Sequence, residues 1–229
     1  MPKDFKRGYI GMLPLFPGLI AFGLVYGVLA RQVGFTNWQT LAMSLIVFAG
    51  SAQFTAVGMW ASSSAIPIIL TTLVLNLRHL LLGASLAPYL RGLPRSWKVA
   101  LAFWLTDESY AVAIAEYQRG SGSHWYFFGA SMGVYSIWAV ASLTGALVGS
   151  AVPDLSRYGL DLVFPLTFLG LLFNFLKDRK GVIVALVAGG VALVGAVYLP
   201  GKWYVIIAGL LGSGLGLLME EWNGLWTKF

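Results

Sequence analysis

Eight stretches of almost uninterrupted apolar residues follow one another along this chain, at 10–30, 38–60, 66–86, 99–115, 125–150, 160–176, 181–199 and 203–219, each 17 to 26 residues long. A helix rising 1.5 Å per residue needs about 20 such residues to cross the ~30 Å hydrocarbon core of a bilayer. No sustained apolar/polar alternation accompanies them, so the strands of a membrane β-barrel are excluded. Charged residues make up 10% of the 229, against about 25% in soluble domains. Too few charges remain to keep a chain with 58% hydrophobic residues and mean hydropathy +0.78 in water. The pattern predicts an all-α, polytopic helical membrane protein with seven or eight hydrophobic segments, forming one integral membrane domain over residues 1–229. Trp38, Trp60, Trp97, Trp125 and Trp203 fall near segment ends, where an interfacial aromatic belt belongs. A soluble enzyme, a nucleic-acid module and a disordered linker are ruled out. There is no Cys, and His79 and His124 are the only His, so disulfides, thiolate sites and His-built metal sites are not expected, nor is any cofactor.

The basic clusters constrain topology. They are Lys3/Lys6/Arg7, Arg91/Arg95/Lys98 and Lys177/Arg179/Lys180. The first precedes an apolar run too long for a signal peptide and interrupted early by Pro14 and Pro17, so a retained first helix is expected. Positive loops belong on the cytoplasmic side, but eight plain crossings put the second cluster outside. All three share one side only if one of the first three runs, and one of the next three, fails to cross or crosses as a broken hairpin. At least one segment is therefore expected to be broken or re-entrant. A weak echo between 25–54 and 143–174 (Gly27, Phe48, Gly50 against Gly145, Phe168, Gly170) raises a possible internal repeat, a common construction in secondary transporters.

Ionisable groups at mid-bilayer cost roughly 2.5–3.5 kcal/mol even on translocon-insertion scales, so polar residues inside the runs carry the functional signal. Three clusters stand out. Phe48-Ala49-Gly50-Ser51-Ala52-Gln53-Phe54 combines small residues with one amide. A break at Gly50 frees backbone groups for a polar cargo; a tight helix contact glued by Gln53 explains the same residues. Both readings stand. Asn76-Leu77-Arg78-His79 places Asn76, His79 and Gly83 on one helical face, with Arg78 about 100° away. Arg suits a carboxylate because its planar fork matches two oxygens; a shallower run would let Arg78 simply snorkel. Thr106-Asp107-Glu108-Ser109-Tyr110 sits in the middle of the fourth run. Two adjacent carboxyls there need a cationic partner or a raised pKa, and Arg78 and His79 are the candidates.

Other features read as packing. Gly23/Gly27, Gly129/Gly133, Gly145/Gly149 and Gly212/Gly216 have GxxxG spacing, and Ala188/Ala192/Ala196 forms a small-residue stripe. Ser131, Tyr135, Trp138 and Ser142 make a polar-aromatic stripe. Gly129-Ala130-Ser131-Met132-Gly133 matches G-x-S-x-G, which raises an intramembrane serine protease with His79 as base, though no strand precedes it.

The three polar motifs, in this order and with Leu13-Pro14, Pro17-Gly18 and Phe22-Gly23 ahead of them, resemble the AzlC family of branched-chain amino acid permeases. The likeness covers residues 8–110; beyond it the agreement is in hydropathy. The resemblance implies export of valine, leucine or isoleucine across a bacterial inner membrane, together with a small separate membrane partner of the AzlD type.

The expected function is thus a secondary transporter working by alternating access, not an enzyme. Gly50, Ser51, Gln53, Asn76, Arg78, Asp107 and Glu108 are the candidate substrate-binding residues, with Tyr26, Phe48 and Phe54 as apolar walls. His79, Asp107 and Glu108 are the candidates for proton coupling. G-x-x-x-x-G-K-[ST] is absent, so ATP is not the direct energy source. The competing class is a channel or a non-transporting membrane scaffold.

Overall fold

The computed structural model describes residues 3–151, 169, 176, 179–199 and 203–226. The run at 160–176, and with it the second half of the echo at 143–174, lies almost wholly outside the described residues. Every regular element among the described residues is helical. Four stretches are long and apolar enough to cross a membrane: Lys3–Gln32, Ala65–Leu90, His124–Ala151 and Arg179–Tyr198. The chain is a multi-pass membrane protein.

The first of these is α1 (Lys3–Gly11), a short 3-10 turn (Leu13–Leu15) and α2 (Phe16–Gln32). Pro14 and Pro17 each occupy a first turn, where the N–H that proline lacks has no helical partner anyway. His124–Ala151 forms α9. The two run in the same direction: Phe5 lies against Gly129, Leu24 against Gly145 and Arg31 against Gly149. A Cβ at Gly27 would land on the Ser142 carbonyl oxygen, and one at Gly145 on the carbonyl of Leu24. The glycine spacings therefore serve backbone contact between α2 and α9 within this chain. Below, the end where α1 and α9 begin is called proximal, and the end where α2 and α9 finish is called distal.

The second and fourth apolar runs are not single helices. At the distal end Gly34, with φ +93°, turns the chain out of α2, and Thr36 and Gln39 form a reciprocal capping box at 2.8 and 3.2 Å that starts α3 (Asn37–Ala42). A π-type turn (Met43–Val47) follows. Phe48 is then left-handed (φ 45°), Ala49 is extended, and α4 (Gly50–Met59) heads back. Gln53 donates to the Ser44 hydroxyl at 3.2 Å, and the rings of Phe35 and Trp60 meet edge-on at 4.7 Å. A hairpin therefore leaves and re-joins the distal end.

α5 (Ala65–Asn76) and α6 (Arg78–Leu86), separated by Leu77, lead to the proximal end through a 3-10 turn (Ala87–Leu90). There α7 (Arg95–Phe103) enters the bundle, the chain breaks at Trp104, and α8 (Asp107–Gln118) returns. Tyr89 stacks on Tyr117 at 4.9 Å, and Trp97 packs against His124 and Trp125 at 5.1 and 4.8 Å. This second hairpin starts and finishes at the proximal end. A pair of helices, α10 (Arg179–Tyr198) and α11 (Trp203–Trp226), packs partly through Gly212 on Ala188.

Two apolar clusters hold the frame. One gathers Met12, which follows α1, with Tyr26, Phe54, Val134 and Trp138 from α2, α4 and α9; the other gathers Leu86, Leu101, Ala113, Tyr117 and Phe127 around the second hairpin.

Candidate functional site

The tips of the two hairpins meet halfway along the bundle, and Arg78 lies between them. Its guanidinium pairs with Asp107 at 2.7 Å and donates to the Ser51 hydroxyl at 2.8 Å. Arg78 and Asp107 are about 40% exposed, at 36% and 45% of their side chains, on the rim of a cavity of about 120 Å³. Phe48, Gly50, Ser51, His79, Thr106 and Glu108 share its lining with Leu19, Phe22, Phe54 and Trp138. This is small beside the ~300–1,000 Å³ of pockets that take drug-sized ligands, and suits a cargo no larger than an amino acid.

Each wall follows from a local choice of the chain. α8 begins with Thr106, whose hydroxyl accepts from the Ser109 amide at 3.2 Å while Ser109 accepts from the Thr106 amide at 2.9 Å. Asp107 and Glu108 fill the first turn, where the positive end of the helix dipole favours carboxylates. α4 begins differently. Its N-cap is Ala49, whose methyl group accepts nothing, and no acidic residue follows. The first amides of α4, which lack helical partners by geometry, belong to Gly50 and Ser51, which line the cavity. Gly50 lets the helix start lie against Trp138: a Cβ there would meet the indole at 3.3 Å.

His79 and Asn76 define the α5–α6 junction. The Leu80 amide bonds to Leu77, one residue short of its α-helical partner, which leaves the Asn76 carbonyl free to accept from His79 Nδ1 at 3.1 Å. A carbonyl only accepts, so this contact places the proton on Nδ1 and leaves Nε2 unengaged. Glu108 has no ion pair or hydrogen bond among the described residues.

Six sequence candidates, Gly50, Ser51, Arg78, His79, Asp107 and Glu108, thus come together. Others do not. Gln53 is fully buried behind the cavity wall, bonded to Ser44 and to the Trp138 indole N–H at 3.1 Å. It fastens the first hairpin, as the packing reading of that motif had it, because its side chain points toward α9 rather than toward the tip. Asn76 is absent from the lining, and its face shared with His79 and Gly83 is broken at Leu77. Tyr26 is fully buried, stacked on Trp138 and edge-on to Phe54, a layer behind the wall. Ser131 is fully buried, and its hydroxyl finds no hydrogen-bond partner. Ser131 is absent from the residues that line the cavity with His79, so the nucleophile and base that the protease reading requires do not meet.

The sequence reading missed a second charged group at the proximal end. Glu116 is 7% exposed and accepts from Arg7 at 2.5 Å and from Ser121 at 2.9 Å, with Arg119 at 3.7 Å. Arg7 also pairs with Asp4 at 3.1 Å and lies over the Tyr126 ring. The signal was available: Thr106-Asp107-Glu108 is a helix start, not a helix middle. Starting the helix there puts Glu116 more than two turns on, beside α1.

Residues 14–152 match the family described as the AzlC protein. The chain belongs to the AzlC family. Similarity continues past that core. A membrane protein of Archaeoglobus fulgidus is 32% identical over 96% of this chain and 95% of its own length. The branched-chain amino acid transport protein AzlC of Bacillus subtilis is 26% identical over 95% of this chain and 85% of its own. The inner membrane protein YgaZ of Escherichia coli K12 is 29% identical over 96% and 92%. No solved structure matches this AzlC-family chain.

Proposed function

We propose that this AzlC-family protein is a secondary transporter that exports branched-chain amino acids (valine, leucine or isoleucine) across a bacterial inner membrane, driven by protons and working with a small AzlD-type membrane subunit. The observation that carries the reading is the meeting of two hairpin tips, entering from opposite ends, around a small cavity of mixed charge. Broken helices at mid-depth are the usual means of offering backbone groups to a polar cargo inside a membrane.

The cargo is a zwitterion with an apolar branch. Its carboxylate faces the uncapped start of α4, where Gly50 and Ser51 present backbone amides. Its ammonium faces Glu108, the cavity carboxylate without a partner among the described residues. Phe48, Phe54 and Trp138 receive the branched side chain; such walls discriminate softly, since one methylene is worth roughly 1–3 kcal/mol. Arg78 ties the two tips together through Ser51 and Asp107. A tilt of either hairpin breaks one of those bonds, which links opening on one side to the state of the other. Glu108, Asp107 and His79 Nε2 are the groups to take up and release the proton.

The hairpin geometry also fits the charge pattern. With both hairpins re-entrant, Lys3, Lys6, Arg7, Arg91, Arg95, Lys98 and Arg119 all fall at the proximal end, which is then cytoplasmic. Single Cys residues at Arg95 and at Arg31 test this, since the chain has no thiol of its own. Labelling from outside is expected at 31 and not at 95. The AzlD-type subunit is proposed to sit on the α5–α6 flank, where Ile66, Ile69, Leu73, Leu80 and Leu81 are exposed beside the half-exposed Arg78–Asp107 pair.

The deciding experiment is counterflow of labelled valine in proteoliposomes, with and without the small subunit. Saturable exchange supports a carrier. Conductance without saturation favours the channel reading, and neither exchange nor conductance favours a scaffold.

A further inference from the structure

A second cavity, of about 340 Å³, opens between α6, α7 and the beginning of α9. Its inner wall is apolar, with Leu86, Leu101, Ala102, Leu105 and Phe127; its rim carries Arg91 and Lys98. The rim is cationic without compensation. No Asp or Glu occurs between Asp4 and Asp107, and the ion pairs among the described residues use Arg7, Arg78 and Arg119. Lys98 Nζ donates to the Arg91 carbonyl at 3.0 Å, which holds the ammonium against the Arg91 backbone on the same rim.

Depth comes from the aromatic residues. Trp97, the neighbour of Lys98, packs against His124 and Trp125 at the proximal end. Clusters of this kind mark the headgroup level of a bilayer. The cavity therefore has a positive mouth at headgroup depth and an apolar interior below it.

We propose that this cavity binds one anionic phospholipid, its phosphate on Arg91 and Lys98 and an acyl chain along Leu86, Leu101 and Leu105. Basic pockets between helices on the cytoplasmic side take such headgroups, and the proposed orientation puts the mouth in that leaflet. A free phosphate ion would use the rim and leave the interior empty. An apolar partner helix would leave the two cations without a counter-charge. The site also has a mechanical consequence: Leu105 immediately precedes Thr106, the cap of α8, so a chain packed there backs the tip of the second hairpin. The inference is independent of which cargo the protein carries.

The test uses the full-length protein in nanodiscs containing phosphatidylglycerol or phosphatidylcholine with a photoactivatable acyl chain, read by peptide mapping. Phosphatidylglycerol is expected to label residues 83–105 at least about tenfold more than phosphatidylcholine. Arg91→Gln lowers that labelling about fivefold, the weight of one basic residue near an anionic surface, whereas Arg31→Gln at the distal end leaves it unchanged. Ala102→Phe, which fills the cavity without altering charge, removes it while labelling of the other spans persists and reports intact folding. Added inorganic phosphate leaves labelling unchanged. Equal labelling by both lipids, labelling that maps elsewhere, or displacement by inorganic phosphate overturns the proposal, and so does cross-linking of 83–105 to a protein instead of a lipid.

Discussion

The starts of α4 and α8 both face the central cavity, and they are finished in opposite ways. α8 is closed by its own chain, with Thr106 and Ser109 satisfying each other's amides and two carboxylates in the first turn. α4 opens on Ala49, with no side-chain cap and no acid. Both ends carry the same partial positive charge from the aligned peptide dipoles. One is neutralised internally and the other is left for something else. The difference teaches how a cavity becomes dipolar without a large net charge: Arg78 is balanced by Asp107, and what remains is Glu108 in the same lining as the uncapped start of α4.

That contrast can be broken by substitution, and transport of labelled valine is the first readout. Arg78→Ala unties both tips and strands Asp107, so exchange is expected to fall by about tenfold or more, since charged hydrogen bonds are worth about 1.5–3 kcal/mol and partial exposure of the pair keeps the loss at the lower end. Arg78→Lys keeps the charge but not the fork that reaches Ser51 and Asp107 together, and should recover only a part. Full activity in Arg78→Ala would remove the bridge from the mechanism. Glu108→Gln removes the unpaired carboxylate; charged hydrogen bonds are worth about 1.5–3 kcal/mol, so the KM for valine should rise by roughly tenfold or more. An unchanged KM means the ammonium is held elsewhere.

Two smaller effects sharpen the comparison directly. Ala49→Ser gives α4 the cap it lacks, worth roughly 1 kcal/mol. Thermal stability should hold or rise while the KM for valine rises about fivefold, because the new hydroxyl competes for the amides the cargo needs. Thr106→Ala does the reverse to α8: Tm should drop by about 2–4 °C, the usual effect of 1 kcal/mol in a chain of 150–250 residues, with KM little changed. If both substitutions act on stability alone, the open end of α4 is a packing accident and not a binding surface.

Much of this was legible in advance, and the failures have causes. Helical class followed from run length, and Gly23, Gly27 and Gly145 read correctly as close-packing positions because glycine spacing is local information. The break at Gly50 was one of two readings of its motif. The break at Trp104 was missed because apolar residues on either side of it look continuous to hydropathy, although Thr106-Asp107-Glu108 carries the composition of a helix start. Gln53 and Tyr26 were placed with the cavity because they are chemically suited to it. Which side of a tip a residue faces is set by packing on Trp138, and composition does not contain that.

By itself the sequence determined the solvent, the secondary structure and the residues too costly to bury idly, since each depends on transfer free energy summed over a few neighbouring positions. It also set the starts of α3 and α8 through capping boxes four residues long. Only the tertiary structure decided that the second and fourth apolar runs are each broken into a helical hairpin, and that Arg78 finds Asp107 and Ser51 from opposite tips. Those outcomes depend on contacts between residues 27 or more positions apart, and a pairing over that distance is fixed by the packing of the whole bundle, not by the letters on either side of it.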